Sequence, residues 1–322
     1  MPFAFFAPFV VLRFSLDAHA SKLAPQGMKI VILLTSRDNC RGITLSVLSV
    51  LCGSVISLGR KEVTDMLVIQ NLYKQFGSLI AVNDLSLEVN KGETVVLMGP
   101  SGCGKSTTIR TINRLVEPDR GSIYFGGIDI TALPIDELRA VRKRIGFVFQ
   151  QFNLIGRLTA LENVMLGLVM SGVPRELAQE KAREALRKVG LETHQHHKPG
   201  EMSGGQQQRV GIARALAYEP ELMLWDEPTA SLDPILVREV LVVMEELARY
   251  RASTMLVVTH ELSFALHVAD RIVLMDKGRI VEEGPPDQVF VKPVSRIGQQ
   301  YKELIEYQLH TSAQKLAGKH IA

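Results

Sequence analysis

Apolar and polar positions form two kinds of pattern along this chain, and each kind predicts a different type of strand. Alternation over residues 67–73, 80–82 and 85–89, with turn residues between the runs, predicts short antiparallel strands. Residues 121–130 turn at two consecutive glycines and predict a further hairpin. Continuous apolar runs predict buried strands, and these lie at 94–98, 145–149, 222–225 and 255–258. Together the runs predict an α/β fold with a small antiparallel sheet beside its core.

Helical periodicity predicts an insert between the buried strands. Residues 174–189 place apolar side chains on one face and charges on the other. Two capping boxes, in which Thr or Ser is followed three residues later by Glu or Gln, predict further helix starts at Thr159 and Ser203. We therefore expect a helical subdomain over about 151–216.

A glycine-rich turn lies between the apolar run 94–98 and a helical run that begins at Thr107. Its spacing, G-x-x-x-x-G-K-S, is typical of a phosphate-binding loop, because glycines let backbone N–H groups face a triphosphate and the helix N-terminus adds a favourable dipole. In such a loop Lys105 reaches the β and γ phosphates of a bound triphosphate, and the Ser106 hydroxyl takes one coordination position on Mg²⁺. The candidate nucleotide-binding residues here are Gly99, Pro100, Ser101, Gly102, Cys103, Gly104, Lys105, Ser106 and Thr107.

A second glycine-lined helix N-terminus begins at the run MSGGQ. Such an end attracts anions for the same reason as the phosphate loop. One triphosphate needs only one such anion-binding helix start, which is called a phosphate cradle below. The second cradle, at MSGGQ, is therefore expected to contact a different phosphate. The candidate contacts are Ser203, Gly204, Gly205 and Gln206.

Two acidic residues follow the buried strand 222–225, at the edge where ligands of open α/β sheets gather. Asp226 suits Mg²⁺ through a water molecule, and Glu227 is placed to polarise an attacking water. Such a pair is weak evidence alone, but the upstream phosphate loop favours the catalytic interpretation. His260 ends the strand 255–258 and is expected beside the γ-phosphate.

Two further candidates have a plainer structural alternative. Phe76 either offers a flat face to adenine or is one more core aromatic, and the residues alone favour the core. The run 194–197 contains three histidines, but no carboxylate or cysteine shares their spacing. A solvated loop is therefore favoured there over a metal site.

Composition narrows the functional class only slightly. The chain is 46% hydrophobic and 22% charged, which is ordinary for a globular protein with ample core. A formal net charge of +3, without a basic stripe interleaved with aromatics, does not favour a nucleic-acid partner. The cysteines Cys40, Cys52 and Cys103 fit no metal or disulfide spacing, which favours a reduced, cytosolic setting.

Residues 1–65 differ in character from the rest, with an aromatic start and an apolar run at 43–58. Neither run reaches the roughly 20 apolar residues of a membrane-spanning helix. The start resembles a weak signal peptide, but export does not suit a domain that consumes ATP. We expect an atypical extension outside the fold, with natural translation starting at Met66. Peptides from residues 30–60 in cells would contradict this hypothesis.

The ordered motifs GPSGCGKST, MSGGQ, LMLWDE and ASLD, with the Gln150 turn and the His260 strand end, resemble the ATP-binding subunit of an ABC transporter. The resemblance covers about 66–290, and MSGGQ is the most specific motif, because generic phosphate-loop ATPases lack it. It implies a P-loop NTPase (RecA-like) core with an antiparallel β subdomain and a helical subdomain that carries MSGGQ, which is called the signature motif below. Residues 291–322 then form a C-terminal helical tail.

The resemblance also implies roles for single residues. Phe76 stacks on adenine, against the preference from the residues alone. Gln150 senses the γ-phosphate and couples it to the membrane subunit, and Glu227 is the catalytic base. Asp233 lies at a dimer interface, and His260 is a switch residue. The implied catalytic residues are Lys105, Gln150, Glu227 and His260, and the implied metal ligands are Ser106, Gln150 and Asp226.

In that family two subunits sandwich two ATP molecules head to tail, so the second cradle contacts the phosphate held by the partner's loop. The implied partners are a second ATP-binding subunit, which forms a homodimer when the two chains are identical, a transmembrane permease and an extracytoplasmic solute-binding protein. The implied location is peripheral, on the cytoplasmic face of the inner membrane.

The runs QQFNL, LTALENV, SGGQQQRV and DEPTASLDP are similar to those of bacterial polar amino acid importers. Importers of phosphonate, methionine or glycine betaine share much of this pattern and remain alternatives. An ABC ATPase linked to cell division or lipoproteins is a further alternative. The sequence does not name the solute.

Overall fold

The computed structural model describes residues 29–35, 44–51, 54–57, 65–250 and 253–318. The chain divides into two compact units, Met1–Thr64 and Asp65–Ala322. The described part of the first unit is an antiparallel sheet of β1 (Lys29–Thr35), β2 (Thr44–Leu51) and β3 (Ser54–Ser57), in that order. The aromatic residues at the start of the chain, and the cysteines Cys40 and Cys52, lie outside the described residues. No helix in the described ranges is both long and apolar enough to cross a bilayer.

The second unit contains the predicted α/β fold. Its strands are β4 (Asp65–Phe76), β5 (Leu79–Asn90), β6 (Thr94–Met98), β7 (Arg120–Phe125), β8 (Ile128–Asp129), β9 (Ile145–Val148), β10 (Leu222–Asp226), β11 (Thr254–Val258), β12 (Arg271–Asp276) and β13 (Arg279–Gly284). Its α-helices are α1 (Lys105–Ile112), α2 (Ile135–Arg142), α3 (Ala160–Met170), α4 (Arg175–Lys188), α5 (Gly204–Leu216), α6 (Pro234–Arg249), α7 (Leu262–Val268), α8 (Pro286–Val291) and α9 (Arg296–Gly318).

The smaller sheet of this unit is antiparallel, with the order β5-β4-β7-β8. The two short strands predicted at 80–82 and 85–89 are one strand, β5. The apparent break is an irregularity in the β4–β5 register, where Asn71 and Asp84 both take positive φ and Asn71 Nδ2 donates to Asp84 Oδ1 at 2.9 Å. A bulge of this kind lets the strand continue past polar residues that interrupt the apolar alternation.

The larger sheet has the order β13-β12-β6-β11-β10-β9. The strands from β12 to β9 run parallel, and β13 pairs antiparallel with β12. Alternate residues of β6 enter two separate cores, because Val95 and Leu97 pack on the side of the small sheet while Val96 and Met98 pack on the other side. Burial on both faces explains why these strands read as continuous apolar runs.

Parallel strands bring their carboxyl ends to one edge of a sheet. The phosphate loop follows β6, Gln150 follows β9, Glu227 follows β10 and His260 follows β11. The order β6-β11-β10-β9 places these four strand ends side by side. Gly99 and Gln150, for example, are 51 positions apart in the sequence. The topology therefore gathers the predicted site.

The helical insert consists of α3, α4 and α5, which pack against one another. Both predicted capping boxes are confirmed: Thr159 caps α3 with Glu162, and Ser203 caps α5 with Gln206. At the other end of the chain, Phe290 of α8 meets the ring of Tyr301 edge-on, and Ile297 of α9 is buried in the core. The first turns of the predicted tail thus pack against the core of the second unit, to which the tail belongs.

Glu282 fastens the start of α9 to β13. Its carboxylate oxygens accept hydrogen bonds from the backbone N–H groups of Val294 and Ser295, both at 2.9 Å. Burial raises the pKa of Glu282, but the hydrogen bonds from Ser295 and Val294 outweigh it, so this pKa lies below its usual range. The carboxylate therefore contributes stability above the usual glutamate range, and this contribution is lost as pH falls through the lowered folded-state pKa.

We expect Glu282→Gln to lower the free energy of unfolding at neutral pH by about 1–3 kcal/mol, because one amide N–H then faces a backbone N–H. Urea denaturation at neutral and at acidic pH measures the effect, and the difference from wild type should shrink in acid. The exposed Glu303→Gln on α9 is the matched control. Equal stability of wild type and Glu282→Gln at neutral pH would contradict the assignment.

Candidate functional site

The phosphate loop is held in a backbone conformation that only glycine fits at two positions. Gly99 and Gly104 have φ of +150° and +106°. A Cβ at Gly99 would overlap the carbonyl oxygen of Met275, and one at Gly104 would overlap that of Ala81. The loop is thus closed against β12 and β5 behind it. At Gly102, with φ of +77°, an added Cβ would meet no atom within 4 Å, so the loop is open on its outer side.

Lys105 is the first residue of α1 and is buried. Its ammonium donates to the carbonyl oxygens of Gly99 at 3.0 Å and Pro100 at 3.1 Å. It also lies 3.9 Å from Glu227 Oε1. Ser106 and Thr107 follow in the first helical turn and are partly exposed. A cation and a hydroxyl therefore stand at a helix N-terminus, as a phosphate group requires.

Cys103 lies within the same loop as a buried free thiol. Burial raises the pKa of this thiol above its usual range, which keeps it protonated and unreactive at neutral pH. Its backbone N–H donates to Pro100 and its carbonyl accepts from Gly278, at 3.3 and 2.9 Å. Cys103 therefore contributes to the loop through its backbone.

Glu227 has a strained backbone that directs its side chain into the site. Its φ is +47°, which is uncommon for a residue other than glycine. His260 Nε2 lies 3.2 Å from Glu227 Oε1. This hydrogen bond lowers the pKa of Glu227, and the charges of Lys105 and Arg110 act in the same direction, against burial, which raises it. The Glu227 side chain is therefore a carboxylate at neutral pH.

Asp226, next to it on β10, is completely buried. Its Oδ2 accepts a hydrogen bond from Arg110 Nε of α1 at 2.8 Å. Its Oδ1 has no hydrogen-bond partner within the described residues. The sequence pattern indicates Asp226 but not Arg110, because the two residues are far apart in sequence and only the packing of α1 on β10 brings them together.

Gln150 is partly exposed at the end of β9, and the loop after it is held by the helix that carries the signature motif. Gln208 Nε2 of α5 donates to the Phe149 carbonyl at 3.1 Å. Arg214 of α5 donates to the carbonyls of Phe152 at 3.1 Å and Asn153 at 2.7 Å. The Gln150 loop and α5 are therefore one connected element, which the sequence motifs alone did not predict.

Ser203 is exposed at the start of α5, where it accepts from the Gln206 backbone N–H at 3.2 Å. Gln206 Oε1 accepts from the Ser203 backbone N–H at 2.9 Å. The solvated loop expected at 194–197 is correct for the exposed His196 and His197 and wrong for His194. The partly buried His194 Nε2 lies 3.2 Å from Gln206 Nε2, because a 3-10 turn brings the imidazole onto the signature motif.

Phe76 and Asp233 complete the predicted set. The Phe76 side chain is 48% exposed at the end of β4, with Lys74 Nζ 5.2 Å from its ring centre, so it is not a core aromatic. Asp233 is exposed and caps α6, since its Oδ1 accepts from the Ile235 backbone N–H at 3.1 Å. Both side chains remain accessible from solvent.

The sequence profile of the ABC transporter family matches residues 82–230. The glutamine transport ATP-binding protein GlnQ of Escherichia coli is 48% identical over 237 residues, which cover 73% of this chain and 98% of that protein. The arginine transport ATP-binding protein ArtM of Bacillus subtilis is 46% identical over 241 residues, which cover 74% of this chain and all of that protein. The chain belongs to the ABC transporter family. Within that family it is an ATP-binding subunit, and its reaction is ATP hydrolysis.

Solved structures of ABC proteins agree with this fold. A dimeric, post-hydrolysis structure of the ATP-binding cassette MJ0796 bound to ADP and Pi has a TM-score of 0.62 and 39% identity, and the match covers 69% of this chain and 99% of that one. The cbiO1 subunit of Clostridium perfringens, part of the ABC transporter complex cbiONQ, has a TM-score of 0.65 and 27% identity, over 77% of this chain and 99% of that one. The predicted P-loop NTPase core with an antiparallel β subdomain is confirmed.

The residues of this ABC subunit also suit a divalent cation next to the triphosphate. No group of three or more His, Cys, Asp or Glu side chains within the described part of the chain forms a protein-only metal cage. Ser106, Gln150 and Asp226 offer the hydroxyl, amide and carboxylate oxygens that Mg²⁺ prefers, with other positions left to water and phosphate. The free Oδ1 of Asp226 is a buried polar atom that such a hydrated ion would satisfy.

Proposed function

We propose that the chain hydrolyses ATP at the interface of a head-to-tail dimer and that this hydrolysis energises the import of a polar amino acid. The fold that carries this function comprises residues 66–290, with a helical subdomain at about 151–216 and a helical tail at 291–322. A start at Met66 would leave residues 1–65 outside the fold as an extension, although Asp65 is already the first residue of β4, where it pairs with Asn90.

The observation that carries the proposal is that one chain holds two anion-binding helix starts on different elements. The phosphate loop is closed against the backbone at Ala81 and Met275, whereas the start of α5 packs on the side chains of Phe152 and Leu232. One triphosphate fills one cradle, so Ser203 and the glycines after it face the phosphate held by the partner's loop. The dimeric state of MJ0796 with ADP and Pi supports this arrangement.

In this reaction water attacks the γ-phosphorus, the bond to the β–γ bridging oxygen breaks, and ADP and inorganic phosphate form. The Lys105 ammonium neutralises charge on the β and γ oxygens. The Glu227 carboxylate accepts a hydrogen bond from the water and aims its oxygen at phosphorus. Its lowered pKa keeps Glu227 ionised at neutral pH, so the carboxylate orients the water and, as the catalytic base, takes its proton during the attack. His260 holds this carboxylate in place.

Three further contacts complete the site. Mg²⁺ held by Ser106, Gln150 and Asp226 supplies neutralising charge to the phosphate oxygens when bound. Phe76, half exposed at a strand end, stacks on adenine. Asp233 lies at the interface between the subunits.

The proposed partners are an identical second subunit, a transmembrane permease and an extracytoplasmic solute-binding protein, with the chain bound to the cytoplasmic face of the inner membrane. Closure of the dimer moves the Gln150 loop and the helical insert together, because Gln208 and Arg214 fasten that loop to α5. This movement pulls on the permease, and hydrolysis releases it.

The solute class is proposed from relatives. GlnQ is named for glutamine, ArtM for arginine and TcyN of Escherichia coli, 47% identical over 73% of this chain and 96% of that protein, for L-cystine. Methionine is a second candidate, because the methionine import protein MetN of Brucella abortus is 42% identical over 74% of this chain and 65% of that protein.

Uptake measurements in the source organism test this proposal. We expect deletion of the gene to abolish high-affinity uptake of at least one of radiolabelled glutamine, arginine, cystine and methionine. A plasmid copy of the wild type should restore that uptake, and a Glu227→Gln copy made to the same level should not. Unchanged uptake of all four solutes, together with a defect in division or lipoprotein release, would overturn import in favour of the alternative function.

A further inference from the structure

Arg110 occupies a position that neither the motifs nor the proposed function explains. It is the last basic residue of α1, and its side chain is 42% exposed. Its Nε lies 2.8 Å from Oδ2 of Asp226, whose side chain has no exposed surface. A charge buried this deeply needs a partner, because an ion removed from water without one is strongly destabilising.

The helix geometry explains how Arg110 reaches this carboxylate. Arg110 is four residues after Ser106, so the two side chains share one face of α1. Side chains on a helix lean toward its N-terminus, which directs the Arg110 guanidinium back toward the Ser106 turn. Asp226 approaches the same place from the end of β10. Arg110 therefore lies beside Asp226, on the same helix face as Ser106, next to the two residues that are proposed to hold the cation.

The contact is made to one carboxylate oxygen only. Asp226 Oδ2 is taken by Arg110 Nε, and Asp226 Oδ1 has no partner within the described residues. A buried oxygen left free beside one that is fixed is what a hydrated metal ion requires, since groups behind a ligand orient it and mutation of such groups weakens metal binding.

We propose that Arg110 is a positioning residue for the metal site: it fixes Asp226 through Oδ2 and leaves Oδ1 directed at the cation. This inference rests on the proposed assignment of Ser106 and Asp226 as metal ligands. The opposite arrangement, in which Arg110 stands in for the ion and must leave before metal binds, predicts tighter metal binding when Arg110 is removed. The two arrangements therefore differ in the sign of one measurement.

Mn²⁺ serves as a spectroscopic probe for this site, because carboxylate and hydroxyl oxygens suit it as they suit Mg²⁺. Electron paramagnetic resonance titration of the full chain with ADP measures Mn²⁺ affinity without any turnover. We expect Arg110→Gln to weaken Mn²⁺ binding by about 10–100-fold. Arg110→Lys should recover part of the loss, because its ammonium can still donate to Oδ2.

Arg139→Gln is the matched control, since Arg139 forms an exposed ion pair with Asp136 on α2. It should bind Mn²⁺ like the wild type. Binding of ADP in the presence of EDTA should be unchanged in every variant, which separates a metal effect from a general loss of folding. The Arg110→Lys variant keeps a cation beside Asp226 and so reports on the site even if the glutamine variant does not fold.

Mn²⁺ affinity that is unchanged or tighter in Arg110→Gln would overturn the positioning role, and so would tighter affinity in Arg110→Lys where only that variant folds. Failure of the wild type itself to bind Mn²⁺ with ADP would instead overturn the proposed metal site. The two failures are distinguishable because the second appears before any substitution is made.

Discussion

The Glu227→Gln variant is expected to bind ATP normally and to lose turnover by about 10²–10⁴-fold. The substitution keeps the size of the side chain and removes the charge. An amide oxygen accepts a weaker hydrogen bond from water than a carboxylate does, and the amide group does not stabilise the charge that develops on the attacking water. Steady-state ATPase rate and ATP affinity, measured on the same preparation, separate the two effects.

The same variant is expected to accumulate as a dimer in the presence of ATP, because the nucleotide that joins the two subunits is no longer consumed. Size-exclusion chromatography detects this species. Glu261→Gln is the control, since Glu261 lies one residue after His260 and contacts Thr229 rather than Glu227. A wild-type ATPase rate in Glu227→Gln would show that another group orients the water.

The Lys105→Ala variant is expected to weaken ATP binding by at least about 100-fold, because charge-assisted hydrogen bonds to phosphate are among the strongest polar contacts. In the wild type the buried ammonium donates hydrogen bonds to two loop carbonyls. The cation is therefore already desolvated and needs to move only a short way to reach a phosphate. Isothermal titration with a slowly hydrolysed ATP analogue measures the loss. Binding of AMP, which lacks the β and γ phosphates, should change much less.

Lys188→Ala is a suitable control for this second prediction, because Lys188 is an exposed cation at the end of α4. It should bind the analogue like the wild type. Equal affinity in Lys105→Ala and wild type would mean that the loop backbone and the helix dipole alone hold the triphosphate.

The architecture of the site was predictable because its signals are local. The phosphate-loop spacing, the two capping boxes and the apolar runs before Glu227 and His260 each occupy a few consecutive residues. Parallel pairing of the buried strands then brings their ends together. The small sheet was predictable in the same way, except where a bulge at Asp84 made the single strand β5 look like two.

What the sequence did not reveal depends on backbone strain and on contacts between distant segments. The positive φ of Glu227 is not encoded by any glycine, since neighbouring structure imposes it on an ordinary residue. Arg110 and Asp226 are 116 residues apart, and Gln208 and Phe149 are 59 apart. No periodicity or spacing rule links such pairs, so their roles required the packed structure.

Likewise, His194 looked like part of a solvated histidine run, because sequence spacing tests only for metal ligands. In the structure its Nε2 lies next to the amide of Gln206, 12 residues away on α5, and its Nδ1 lies next to the Thr193 hydroxyl. The residues alone favoured a core position for Phe76, and only the tertiary structure shows that its side chain is exposed.

Each proposed ATP site consists of residues from two chains, and mixing two inactive variants shows whether this is so. Ser203→Asp keeps a helix-capping side chain but directs a negative charge at the partner's phosphate, so it damages the second cradle without removing the cap. Alone, Ser203→Asp and Lys105→Ala should each be nearly inactive as ATPases.

In an equimolar mixture half of the dimers combine the two variants, and each mixed dimer has one intact site, made of Lys105 from one chain and Ser203 from the other. We expect ATPase activity to return to about a quarter of the wild-type rate. A mixture that stays as inactive as its components, or a demonstrably monomeric wild type that hydrolyses ATP at the full rate, would contradict the two-chain site.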